Sequence, residues 1–206
     1  MSAGKIIRYG AWAAVAALVL VVGGIAAWSY LGKGDGKSLI APVATIGGPF
    51  TLENGKGETV TEADLKDKPT VMFFGYTFCP DVCPTTLAEL QGWIEQLGPD
   101  ADKLHYVFVT VDPERDTPDV MASYVAAFDD HIMPLTGTRE QVDKMIKAYR
   151  VYARKVPLDD GGYAMDHSAG LYLFNANGHF VGTIAYGEDT DVAMQKLKRL
   201  ITKAES

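Results

Sequence analysis

Two cysteines, Cys79 and Cys83, are the only thiols in the 206-residue chain, and they stand four residues apart in Phe78-Cys79-Pro80-Asp81-Val82-Cys83-Pro84. If the second opens a helix, both sulfurs fall on one face, close enough to share a metal ion or to form a disulfide. The N–H groups of a helix start favour negative charge and lower the pKa of a nearby thiol. A thiolate is the nucleophile of disulfide exchange and a soft ligand for Cu(I) or Zn(II). A structural staple gains most by closing a long loop, so this short one argues against that role. Two thiolates leave a metal short of ligands. The four histidines, His105, His131, His167 and His179, are the nitrogen donors to weigh.

Three of them have ordinary readings. His105 interrupts an apolar strand pattern, His131 follows Asp129-Asp130 at an element boundary, and His179 lies just past a hairpin turn. His167 differs, because it follows the polar loop Leu158 to Asp166 and precedes a strand expected near the sheet centre.

The elements that must hold these residues are legible from hydrophobic periodicity. Val71-Met72-Phe73-Phe74 reads as a buried central strand, and Leu87, Leu90, Trp93, Ile94 and Leu97 mark the helix after the cysteine turn. Upstream, Phe50 to Leu52 and Glu58 to Thr61 form a hairpin around Asn54-Gly55, and Thr61 to Leu65 makes a helical turn. Downstream come a strand over Lys103 to Asp112, a helix over Pro118 to Phe128 and a strand over His131 to Leu135. A helix over Thr138 to Tyr149 is followed by strands at Val151 to Val156 and Ser168 to Phe174, joined by the loop Leu158 to Asp166. Asn175 to Gly178 turns into a strand over Phe180 to Tyr186, and Asp191 to Ala204 closes the chain as a helix. Strands alternating with helices early, and a hairpin late, predict an α/β fold. The sheet is mixed with flanking helices, a thioredoxin-like arrangement.

Gly10 to Leu31 is a stretch of 22 residues without a charge. About 20 apolar residues span a bilayer as a helix, and a cleaved leader usually has a shorter apolar region. The expected organisation is a cytoplasmic N-terminus over residues 1–9, a transmembrane anchor over 10–31, a linker over 32–40 and a folded domain over 41–206. Lys5 and Arg8 before the span put the domain outside a bacterial inner membrane, in the periplasm. No Arg- and Ser-rich leader points to a mitochondrial membrane instead. From Ser38 onward the chain carries 15 Lys/Arg against 25 Asp/Glu, which argues against nucleic acid as a partner.

FGYTFCPDVCPTTL, then Thr110-Val111-Asp112-Pro113-Glu114-Arg115-Asp116-Thr117-Pro118, then Asp166-His167-Ser168 occur in that order. Together they resemble the Sco/SenC copper-chaperone family. The anchor, FTLENGKGETVTEADL and the overall length also fit it. The resemblance implies a membrane-tethered, thioredoxin-like domain that binds one copper through Cys79, Cys83 and His167. It implies as partners a copper donor protein and the copper-bearing subunit of cytochrome c oxidase, or its assembly factors, whose dinuclear centre it helps to metallate. Asp166 is placed to orient His167, and Asp112 to shape the rim or dock a partner; capping or solvation is the alternative for both. Tyr76 and Phe78 are expected to wall off the site.

The same thiols suit a thiol–disulfide oxidoreductase acting on a partner's copper-ligand cysteines. A thiol peroxidase is a third reading. It needs a cation beside the attacking thiol, and none lies in sequence between Lys68 and Lys103.

Overall fold

The thiol-bearing turn grows out of the most buried strand among the described residues. A computed structural model describes residues 12, 16–25, 45–159 and 161–204. Ala44–Ser206 forms one compact unit, and Met1–Val43 a second. Within the first unit, nine strands are present among the described residues: β1 Thr51–Asn54, β2 Thr59–Thr61, β3 Thr70–Gly75, β4 His105–Thr110, β5 Ile132–Thr136, β6 Ala153–Pro157, β7 Tyr163–His167, β8 Leu171–Phe174 and β9 Phe180–Ile184. The helices are α1 Val82–Leu97, α2 Pro118–Val125, α3 Arg139–Ala148 and α4 Thr190–Ala204.

Seven strands make one mixed sheet in the order β2-β1-β5-β4-β3-β8-β9. Strands β3, β4 and β5 run parallel, and the remaining pairings are antiparallel. All six residues of β3 are buried, as its unbroken apolar run requires of a strand covered on both faces. Phe73 stacks on its register partner Phe108 and Phe108 meets Tyr124 of α2; on the opposite face Phe74 packs against Tyr149 at the end of α3. Each such phenylalanine contributes about 1.5–3 kcal/mol by leaving water. That rigid floor fixes where the turn after Gly75 begins.

The helix ends follow their local chemistry. Thr117 caps α2 through the Val120 N–H, and Thr138 with Gln141 forms a capping box on α3. Pro84 sits in the first turn of α1, where a missing N–H breaks no helical bond.

One segment departs from the expected order. The stretch from Leu158 to Asp166, expected as a loop, turns back as β7, and β6 pairs with β7 rather than joining the large sheet. The reason is a short alternation, Tyr163, Met165 and His167 on one face, Ala164 and Asp166 on the other. Gly161-Gly162 and the flanking aspartates disguise it. His167 therefore ends a strand of a separate hairpin, with β8 beginning four residues later beside β3.

In the other unit, residues 16–25 are helical with every side chain exposed. No helix among the described residues is long and apolar enough to cross a membrane. Half of the expected 10–31 anchor, and all of the 32–40 linker, lie outside the described residues.

Candidate metal centre

After Gly75 the chain turns through Tyr76 to Pro80, closed by the Cys79 N–H donating to the Tyr76 carbonyl at 3.2 Å. Cys79 is partly exposed in that turn, and Cys83 is fully buried in the first turn of α1. Asp81, at the N-cap position, makes no side-chain capping bond. The Cys79 sulfur takes that place, accepting the Cys83 N–H at 3.4 Å. Both cysteines are free thiols.

His167 reaches the same spot from the hairpin. Its Nε2 lies 3.4 Å from the Cys83 sulfur. Its Nδ1 is 2.9 Å from the Ser168 carbonyl. A carbonyl only accepts, so Nδ1 carries a proton and Nε2 is the ring atom that faces the thiols, a ligand atom whenever it is unprotonated. The ring meets Phe73 and Tyr76 edge-on, which limits its rotation. The two sulfurs and the imidazole nitrogen all lie within 4.8 Å of one another, the only such group of three metal-binding side chains among the described residues.

The two thiols are unlike. Cys79 is pulled well below the ordinary thiol range, first by its hydrogen bond with Cys83, with His167 and the backbone of Asp81 and Cys83 adding to it. Cys83 is pushed up by Cys79 and by burial. A partly exposed thiolate beside a buried thiol and a presented imidazole can receive a soft cation or attack a disulfide.

Gly75 makes room for this arrangement by lacking a Cβ. A methyl there would lie 2.7 Å from the Cys83 sulfur and 2.8 Å from the Phe108 ring. Overpacking of this kind costs about 1–3 kcal/mol. Gly75→Ala is expected to lower the melting temperature and weaken copper binding at least about tenfold, since a ligand displaced by half an ångström leaves its productive geometry. Differential scanning calorimetry and competition with a chelator check both; unchanged copper affinity would mean that Phe108 alone gives way.

The aspartates behave differently from one another. Asp166 does not orient His167: it points away on the other face of β7 and pairs with Arg154 at 3.2 Å, while the Ser168 carbonyl holds the ring. Asp112 is fully buried, ion-paired with Arg115 and accepting from the Tyr163 hydroxyl at 3.0 Å. Tyr76 is a buried wall, whereas Phe78 is 61% exposed and does not close the site. His105 pairs with Asp67, and His131 with Asp129 and Asp102, so these imidazoles serve ordinary surface contacts.

Two contributors carried no role in the sequence reading. Asp116 is fully buried and accepts from the Thr77 N–H at 3.2 Å, the Thr77 hydroxyl at 2.6 Å and the Thr110 hydroxyl at 2.6 Å. It thus ties the cysteine turn to the end of β4. Arg115 lies over Tyr163 at 3.8 Å and Phe78 at 4.7 Å. A cation does stand beside the turn, supplied by the Asp112–Thr117 loop rather than by sequence neighbours of the cysteines. Its pairing with Asp112 already occupies it.

The SCO1/SenC family model matches residues 40–202. The chain belongs to the SCO1/SenC family. Yeast "Protein SCO2, mitochondrial" is 34% identical over 211 residues, covering 96% of this chain and 69% of that protein. "Protein SenC" of Rhodobacter capsulatus is 38% identical over 178 residues, 82% of this chain and 79% of that one. The chain spans less than half the length of some other curated SCO1 relatives. Among solved structures, Bradyrhizobium japonicum ScoI with copper bound is 48% identical with a TM-score of 0.71, covering 75% of this chain and 99% of that one. Relatives of this chain thus include proteins named for mitochondria and a bacterial SenC, and the fold described here matches that of the copper-bound ScoI.

Proposed function

We propose that this SCO1/SenC protein is a membrane-tethered copper chaperone that carries one copper on Cys79, Cys83 and His167. The reading rests on one observation: two thiols and an imidazole converge within 4.8 Å, with the imidazole Nε2 turned toward them and its Nδ1 held by the Ser168 carbonyl. Thiolates select Cu(I), and the added imidazole accommodates Cu(II). A three-donor site with one partly exposed sulfur allows a partner's ligands to enter as these leave, which a closed four-thiolate site does not. The cargo's destination is the dinuclear copper centre of cytochrome c oxidase, with a separate protein as donor. Support for that destination comes from family membership, and the copper-bound relative supports the metal. Residues 10–31 hold the chain in a bacterial inner membrane, with the 41–206 domain in the periplasm.

A second reading, reduction of a partner's disulfide, is favoured by the inequality of the thiols. The Cys79 thiolate attacks one sulfur of the partner's disulfide, forming a mixed disulfide and releasing a partner thiolate. Cys83, losing its proton to that thiolate, then attacks the Cys79 sulfur and releases the second. The pair ends as a disulfide, two electrons poorer. Both activities use the same reduced thiols.

The test is to titrate the reduced full chain, in detergent, with Cu(I) and then to present copper-free oxidase subunit. One equivalent bound and then transferred supports the chaperone. If copper stays unbound while the subunit's disulfide is reduced stoichiometrically, the reductase reading replaces it.

A further inference from the structure

The third donor arrives on an element that shares no strand pairing with the sheet bearing the thiols. Strands β6 and β7 pair only with each other, and an isolated two-stranded hairpin is marginal in water. Something else must hold it down. Every second residue of β7 faces the body of the domain. His167 meets Cys83, the Met165 backbone meets the Tyr76 hydroxyl, and Tyr163 docks on the loop after β4. At that last point the Tyr163 hydroxyl donates to the buried Asp112 carboxylate at 3.0 Å. Arg115, paired with the same carboxylate, donates through Nη1 to the Tyr163 carbonyl at 3.0 Å and lies 3.8 Å from the ring centre. Phe78, next to Cys79, flanks the same guanidinium at 4.7 Å.

We infer that Asp112, Arg115 and Tyr163 form a latch that holds the hairpin shut and so sets how firmly His167 stays at the metal. These are positioning residues: Tyr163 is four residues from His167, about 13 Å along a strand, and acts through β7. A rigid strand pinned at one end carries its other end with it. Opening the latch withdraws the imidazole while both thiols stay on the turn after β3 and on α1. The nitrogen can therefore leave the metal without the fold coming apart. The inference builds on the copper reading above.

The test uses the full chain in detergent and two variants, Tyr163→Phe and Asp112→Asn. The first keeps the ring on Arg115 and removes only the hydroxyl, so it folds even if the second does not. In the metal-free protein, backbone hydrogen exchange over Tyr163–His167 should rise about tenfold in Tyr163→Phe while β3 and β4 stay protected, the loss expected for one hydrogen bond to a charged group. Copper dissociation into a chelator should quicken by a similar factor, and this increase should vanish when His167→Ala is also present. Unchanged hairpin exchange overturns the latch. So does a dissociation effect of equal size with and without His167. Wild-type binding that ignores His167 would refute the copper reading itself, and the exchange arm would still decide the latch.

Discussion

Replacing His167 with alanine is expected to cut affinity for Cu(II) by on the order of 100-fold or more, and for Cu(I) by less. Removing an outer partner of a metal ligand already costs about 10–100-fold, and His167 is placed as a ligand itself. The asymmetry follows from donor chemistry. Cys79 and Cys83 remain as two soft thiolates, a set that suits Cu(I), whereas Cu(II) loses its only imidazole nitrogen. Alanine leaves Phe73 and Tyr76 to close over a small void, so the fold should persist. Competition titrations in each oxidation state, with electron paramagnetic resonance to read nitrogen coupling on Cu(II), measure both effects. Equal affinities in wild type and variant for both ions would remove His167 from the site.

The second large effect is on stability. Asp116→Ala is expected to cost about 3 kcal/mol, because it strands the Thr77 N–H and the Thr77 and Thr110 hydroxyls in a buried place where each unmet group costs about 1–3 kcal/mol and the hydroxyls can partly re-aim. Thr77 lies within the cysteine turn, two residues before Cys79, so thiol geometry should loosen as well. Asp116→Asn keeps an acceptor and should lose less. The pair also predicts a pH signature. Burial, the largest cause, raises the Asp116 pKa above its ordinary 3.8, against the pull of Thr110 and Thr77. The native state therefore holds this proton to higher pH than the unfolded chain does. Wild-type stability relative to Asp116→Asn should be highest below about pH 3.8, fall as pH rises to the folded value, and level off above it. Urea denaturation of both proteins from pH 3 to 7 tests this. A difference that grows with pH would mean that the hydrogen bonds outweigh burial.

The frame of the site was readable because hydrophobic period reports burial directly. Val71 to Phe74 and the Leu87–Leu97 pattern placed the strand and helix that bracket the cysteines, and Thr117 and Thr138 marked helix starts through their own capping chemistry. The β6–β7 hairpin was hidden because Tyr163, Met165 and His167 give only three inward positions, bordered by glycine and aspartate. What steers His167 left no side-chain signature at all: its partner is the Ser168 carbonyl, a group every residue has. Asp116 looks in sequence like any charge in Asp112-Pro113-Glu114-Arg115-Asp116, and only folding separates it from the exposed Glu114 two residues away. Pairing that spans 39 residues, from Thr77 to Asp116, is beyond any local window.

The sulfur that caps α1 gives the thiol pair a bias of its own. As a thiolate, Cys79 accepts the helix's N–H and faces its positive end; joined to Cys83 in a disulfide, it carries no charge for that end to stabilise. Whatever favours the reduced form over the oxidised one raises the reduction potential of the couple. The first turn of α1 therefore makes the Cys79–Cys83 disulfide the easier one to reduce. The dithiol state that copper binding requires is thus the more readily regained.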